Sequence, residues 1–156
     1  MKFKMINLPI LYFGYLIILF SIVGFGYLSS KLLSIRLSLG ELGLSGILFM
    51  TILSYITNLF VSHSFIHNSV FLVIGLLAFF FILKKKLFRK KIKLILLVSS
   101  VLFIGILMYK THDDFFYYHL PYTISLIEFK KIFGVGNLEH GFRTPSSIFY
   151  LNSLFY

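Results

Sequence analysis

SVFLVIGLLAFFFILKKKLFRKKIKLILLVSSVLFIGILMY, residues 69–109, decides the fold class: two apolar runs flank KKKLFRKKIK, where seven of the chain's fifteen basic residues sit. Runs this long and this apolar bury their backbone polar groups only by forming helices inside a bilayer. A membrane barrel is excluded as well, since its strands alternate apolar and polar residues and these runs are continuous. The basic segment then reads as the loop that joins two membrane helices and stays on the cytoplasmic side.

Composition agrees over all 156 residues. The chain is 58% hydrophobic, 19% aromatic and 13% charged, with a mean hydropathy of +0.93. So few polar residues cannot cover a water-soluble globule of this size. The formal charge of +10 invites a nucleic-acid reading, yet its concentration between apolar runs is explained by membrane topology, and nucleic acid is not an expected partner. With no cysteine, disulfides, thiolate metal sites and thiol nucleophiles are all excluded.

Outward from this hairpin, the predicted fold is all-α and polytopic, with about four spans at 8–28, 42–61, 67–83 and 94–109 making a transmembrane region over 1–110. The third is short unless lysine stems at its end snorkel to the interface. Gly24 and Gly26 would allow close helix approach, although glycine is common in membrane helices. Gly40, Gly43 and Gly46 are spaced by three and receive no role. His63 and His67, four apart, would share a helical face and bind metal only with further ligands, so they read as interfacial histidines.

Orientation follows from charge. Placing the basic loop inside also places Lys31 and Arg36 inside, nine basic residues against Lys2, Lys4 and Lys110 near the outer ends. Residues 111–145 then emerge outside the bilayer, and they hold four of the five acidic residues and three of the five histidines.

In that block His112, Asp113 and Asp114 precede Phe115, Phe116, Tyr117, Tyr118 and His119. In a helix, Asp113 would share a face with Tyr117 and Asp114 with Tyr118. Two adjacent carboxylates beside lipid repel each other and are poorly solvated, which raises their pKa values and suits a general base or a hard-metal ligand. The alternative is that Asp113 caps a helix, Asp114 sits at its positive end and the aromatics form an interfacial belt. Residues 121–133 read as an amphipathic helix on the bilayer surface, with Tyr122, Leu126, Phe129 and Phe133 on one stripe. After the Gly134 to Gly136 turn, Asn137, Glu139, His140 and Arg143 cluster, and the planar fork of Arg143 suits a phosphate or carboxylate. Residues 146–156 turn apolar again and read as the start of a further membrane segment, cut short.

Through Asp113, Asp114, Tyr117 and Tyr118 the block resembles the GT-C class of polytopic membrane glycosyltransferases, whose donors are polyprenyl-phosphate sugars. A surface helix, a glycine turn and a proline-containing re-entry follow the acidic pair in that class, as 121–133, 134–136 and 145–156 do here. The block is also similar to that of large bacterial multi-pass proteins with an acidic, Tyr-His and Gly-Asn pattern. In the GT-C class the acidic motif follows the first span, whereas here it follows the fourth expected one. The resemblance implies glycosyl transfer for cell-envelope glycans at a bacterial inner (plasma) membrane. Asp113 would deprotonate the acceptor or hold a divalent cation (Mg or Mn), and Asp114 would support it. Tyr117, Tyr118, His119, Asn137, His140 and Arg143 would bind substrate, with Arg143 and His119 or His140 neutralising the donor phosphate. A glycan polymerase or ligase, and a small non-enzymatic protein that assembles with other membrane proteins, remain open beside it.

Overall fold

A computed structural model describes residues 7–108, 113–137, 142–143 and 146–156, except for the side chains of Leu87 and Asp113. The expected roles of His112, Glu139, His140 and the Asp113 side chain therefore lie outside the described residues. Six α-helices follow one another: α1 (Leu8–Leu32), α2 (Leu39–Asn58), α3 (Phe65–Leu83), α4 (Lys86–Leu107), α5 (His119–Glu128) and α6 (Ser147–Ser153), with single 3-10 turns at Asp113–Phe115 and Val135–Asn137. No strand occurs among the described residues.

Three of these helices, α1, α2 and α3, are long and apolar enough to cross a bilayer. At 1.5 Å per residue they run about 37, 30 and 28 Å, against a hydrocarbon core of about 30 Å. Their outer faces carry exposed large apolar side chains such as Leu44, Leu48, Phe65, Leu77, Phe80 and Phe81, the surface that lipid covers in a helical membrane protein.

The fourth expected span differs. Its residues form the later part of α4, but that helix starts at Lys86, so most of the expected basic loop is helical. Lysine, arginine, leucine and isoleucine are good helix formers and no glycine or proline interrupts them until Gly105. Only Lys84 and Lys85 connect α3 to α4.

At the centre α1 packs against both α2 and α3, and glycine makes this possible. A Cβ on Gly24 would overlap the Gly75 carbonyl of α3, one on Gly26 the Leu42 carbonyl of α2, and one on Gly46 the Ile22 carbonyl of α1. Gly24, Gly26 and Gly46 thus sit at the helix crossings, a role that glycine spacing alone did not assign to Gly46. A Cβ on Gly40 or Gly43 would meet nothing within 4 Å. Hydroxyls complete the seams: Ser29 Oγ and Ser45 Oγ are 2.6 Å apart, and Tyr12 Oη lies 2.7 Å from Ser100 Oγ of α4.

The alternating helix directions gather two ends. The connections 33–38 and 84–85 share one, over a core of Val23, Leu42, Phe79, Ile82, Phe88 and Ile95. At the other, Phe25, Met50 and Phe71 receive Leu154 from just beyond α6.

Candidate functional site

The block after α4 is folded onto the α2 to α3 connection as a cap. Its own core is Tyr122, Leu126, Phe149 and Tyr150, so the apolar stripe of α5 faces α6 instead of lipid. The helix ends at Glu128, five residues before the expected Phe133. Asn58, at the last turn of α2, causes this. Its side-chain nitrogen donates to the carbonyls of Leu126 (3.3 Å) and Phe129 (3.4 Å), while its own carbonyl accepts from the Lys131 amide at 2.7 Å. Asn58 thereby satisfies a carbonyl that the end of α2 leaves open and draws 129–131 out of helical form. Phe129 and Phe133, expected on the buried or lipid-facing stripe, stand 52% and 82% exposed.

A second tie is His63, expected at the interface but wholly buried. Its amide donates to the Leu126 carbonyl at 2.9 Å. Its ring meets Ser153 Oγ through Nδ1 at 2.6 Å and the Ser54 carbonyl through Nε2 at 3.2 Å. Burial, and then the neighbouring His67 ring stacked at 4.9 Å, lower its pKa to about 4. Ser54 Oγ donates to the Tyr150 carbonyl at 2.7 Å, and Asn68 Nδ2 to the Ser153 carbonyl at 2.7 Å. Polar residues at the ends of apolar helices were the available signal for this network, because such groups are retained there only when partnered.

On the cap's surface, the 3-10 turn Asp113–Phe115 leads into α5. The Asp114 carbonyl accepts from the amides of Tyr117 (3.2 Å) and Tyr118 (3.3 Å), and Tyr118 Oη donates to Asp114 Oδ2 at 3.3 Å. The predicted pairing of Asp114 with Tyr118 is therefore present, in a turn. The N-cap of α5 is Tyr118. Loss of solvation, and then the Asp114 carboxylate, hold the Tyr118 phenol above its ordinary pKa. The His119 ring meets Tyr118 edge-on at 4.4 Å and Phe149 at 5.0 Å, while Tyr117 is 74% exposed.

Asn137 and Arg143 belong to a neighbouring turn. Gly134 has φ +82°, which glycine adopts without strain. The Asn137 amide donates to the Gly134 carbonyl at 2.9 Å, and Arg143 Nε to the Gly136 carbonyl at 3.2 Å. Val135 and Phe142 fix this turn to the same core that Tyr118 packs on. Asp114, Tyr118 and His119 thus form one group, and Asn137 and Arg143 another, on one small domain. Lys131 donates to the hydroxyls of Tyr122 and Tyr150. Burial, and then the Tyr150 hydroxyl, push the Tyr122 phenol up to about 12.

Among the described residues, no three His, Cys, Asp or Glu side chains come together in a way that could hold a metal ion. Comparison with protein-family models, with curated proteins and with solved structures finds no match to this chain.

Proposed function

We propose that this integral membrane protein carries the acceptor-activating block of a glycosyltransferase that takes its sugar from a polyprenyl-phosphate carrier, with the block on the extracytoplasmic face. The observation that supports this reading is the Asp114 to Tyr118 contact at the surface of a cap tied to the helix ends by Asn58 and His63. A carboxylate whose neighbours are fixed in this way is suited to orient a proton transfer.

Asp113 acts as the base in this scheme. It takes the proton of the acceptor hydroxyl as the new bond forms to the sugar's anomeric carbon. The bond from that carbon to the phosphate oxygen breaks, and polyprenyl phosphate leaves with the electron pair. Arg143, with His119 or His140, offsets the phosphate charge. Asp114 and Tyr118 hold the turn that presents Asp113. Asp113→Asn should abolish transfer by the full-length protein and leave its membrane insertion unchanged; undiminished transfer would sink the assignment.

One observation favours a second reading, in which the chain assembles with other membrane proteins and is not an enzyme. Phe129, Ile132 and Phe133 are exposed together, and Phe129 and Ile132 border an open cleft of about 580 Å³ with Phe60 and Val61. Under this reading Asp113→Asn is silent, and Phe129→Ser with Phe133→Ser weakens co-purification of partners.

A further inference from the structure

At the end of the helices away from the cap, the 33–38 connection, the last turn of α3 and the first turns of α4 enclose a cleft of about 620 Å³. Lys31, Arg36, Lys85 and Lys91 line it, and no Asp or Glu does. Glu41, the nearest carboxylate in the sequence, stands at the edge of the cleft, its Oε2 accepting from the amide of the wall residue Ser38 at 2.6 Å, but it is not itself part of the wall. Four cations around one cavity repel one another, more so beside low-dielectric lipid, and a multiply bonded anion relieves that repulsion.

The cleft is built, not a chance meeting of mobile lysines. The chain turns at Ser34, in the left-handed region at φ 55°, with the Ile35 amide donating to the Ser30 carbonyl at 3.0 Å and Ser30 Oγ to the Ile35 carbonyl at 2.6 Å. This knot sets Lys31, before the turn, and Arg36, after it, on the same cavity. From the other side Lys85 reaches over the Tyr27 ring at 4.8 Å, and Lys31 approaches the same ring at 6.0 Å. One aromatic face thus gathers cations from α1 and from the α3 to α4 connection.

The floor is apolar. Leu42, Ile82 and Phe88 line it and belong to the buried core of the helix set. A cavity with cationic walls and an apolar floor, opening where three bilayer-length helices end, matches a phosphate joined to an apolar chain.

The geometry points to this cleft as a binding site for a phosphate group, supplied by the headgroup of an anionic phospholipid. It is separate from the cap, and the proposed transfer chemistry does not depend on it. Arg36 provides the paired donors, and Lys31, Lys85 and Lys91 the surrounding positive field.

The test is native mass spectrometry of the detergent-purified protein offered phosphatidylglycerol or phosphatidylcholine, with inorganic phosphate as a competitor. Wild type should retain phosphatidylglycerol in preference to phosphatidylcholine. Arg36→Gln with Lys91→Gln should weaken that retention about tenfold or more, and Arg36→Glu alone should do the same. Lys90→Gln with Lys93→Gln removes as much charge outside the cleft and should leave retention unchanged. Displacement by inorganic phosphate would support the phosphate site and assign it a soluble ligand; no displacement would support the lipid. Equal loss in the two double variants, or no preference in wild type together with no phosphate binding, would overturn the proposal.

Discussion

His63 Nδ1 lies 2.6 Å from Ser153 Oγ, joining the α2 to α3 connection to the last turn of α6 across ninety positions of sequence. The Ser54 carbonyl can only accept, from Nε2, and the Ser153 hydroxyl whose oxygen meets Nδ1 donates to the Tyr150 carbonyl at 2.8 Å. Protonation of the ring places a charge in a wholly buried site.

The sign of the resulting pH dependence is fixed by the lowered pKa. An unfolded or detached His63 titrates near 6.5 and the buried one near 4, so the detached state binds more protons between these values. The stabilising effect of the neutral ring is complete above pH 6.5 and is lost as the pH falls toward 4, at most about 3 kcal/mol. Amide protection factors around Leu126 should drop across that window in wild type. In His63→Asn the pH dependence should be absent and protection lower throughout.

Asn58 is the second anchor of the cap. Asn58→Leu removes the donors to the Leu126 and Phe129 carbonyls; Leu126 keeps the His63 amide, so the cost is about 1–3 kcal/mol for the Phe129 carbonyl left without its partner. The exposed Lys130 and the neighbouring Lys131 then become accessible to trypsin, so limited digestion should cut the variant there several times faster than wild type. Equal rates would mean that Asn58 does not hold the segment.

Glycine at the α1 to α3 crossing gives a packing test. A methyl group at Gly24 meets the Gly75 backbone, whereas one at Gly14 meets nothing within 4 Å. Gly24→Ala should lower thermal stability in detergent by about 1–3 kcal/mol, and Gly14→Ala should leave it unchanged or slightly raised.

Sidedness can be read cleanly because the chain has no cysteine. The proposed orientation predicts that a membrane-impermeant maleimide added outside intact cells labels Tyr117→Cys and Arg143→Cys, and labels Lys90→Cys only after permeabilisation. The reverse pattern would place the cap on the cytoplasmic side and remove it from any extracytoplasmic transfer.

Much of the helix set was legible because apolar run length is a local property. The starts of α1 and α3 and the end of α3 lie within two residues of expectation. The i to i+4 spacing of Asp114 and Tyr118 was legible for the same reason. What the sequence concealed depends on distant partners. Residues 129–133 carry a helical pattern, but Asn58, some seventy positions away, captures that backbone. His63 looks like a headgroup-level histidine until α6 folds over it. Gly46 carries no recognisable motif, and its role exists only because Ile22 of another helix reaches it. The basic segment reads as a loop by charge, although no glycine or proline in it breaks a helix.

The proposed role of the acidic block is transfer of sugar from a polyprenyl-phosphate carrier. The most direct measurement is the consumption of a labelled polyprenyl-phosphate sugar by membranes containing the full-length protein, its Asp113→Asn variant, or neither. Free polyprenyl phosphate should accumulate with wild type alone, with the Asp113→Asn rate lower by at least about a hundredfold, the usual contribution of a general base. Consumption no faster than in membranes lacking the protein, or equal for wild type and variant, would contradict the proposed role.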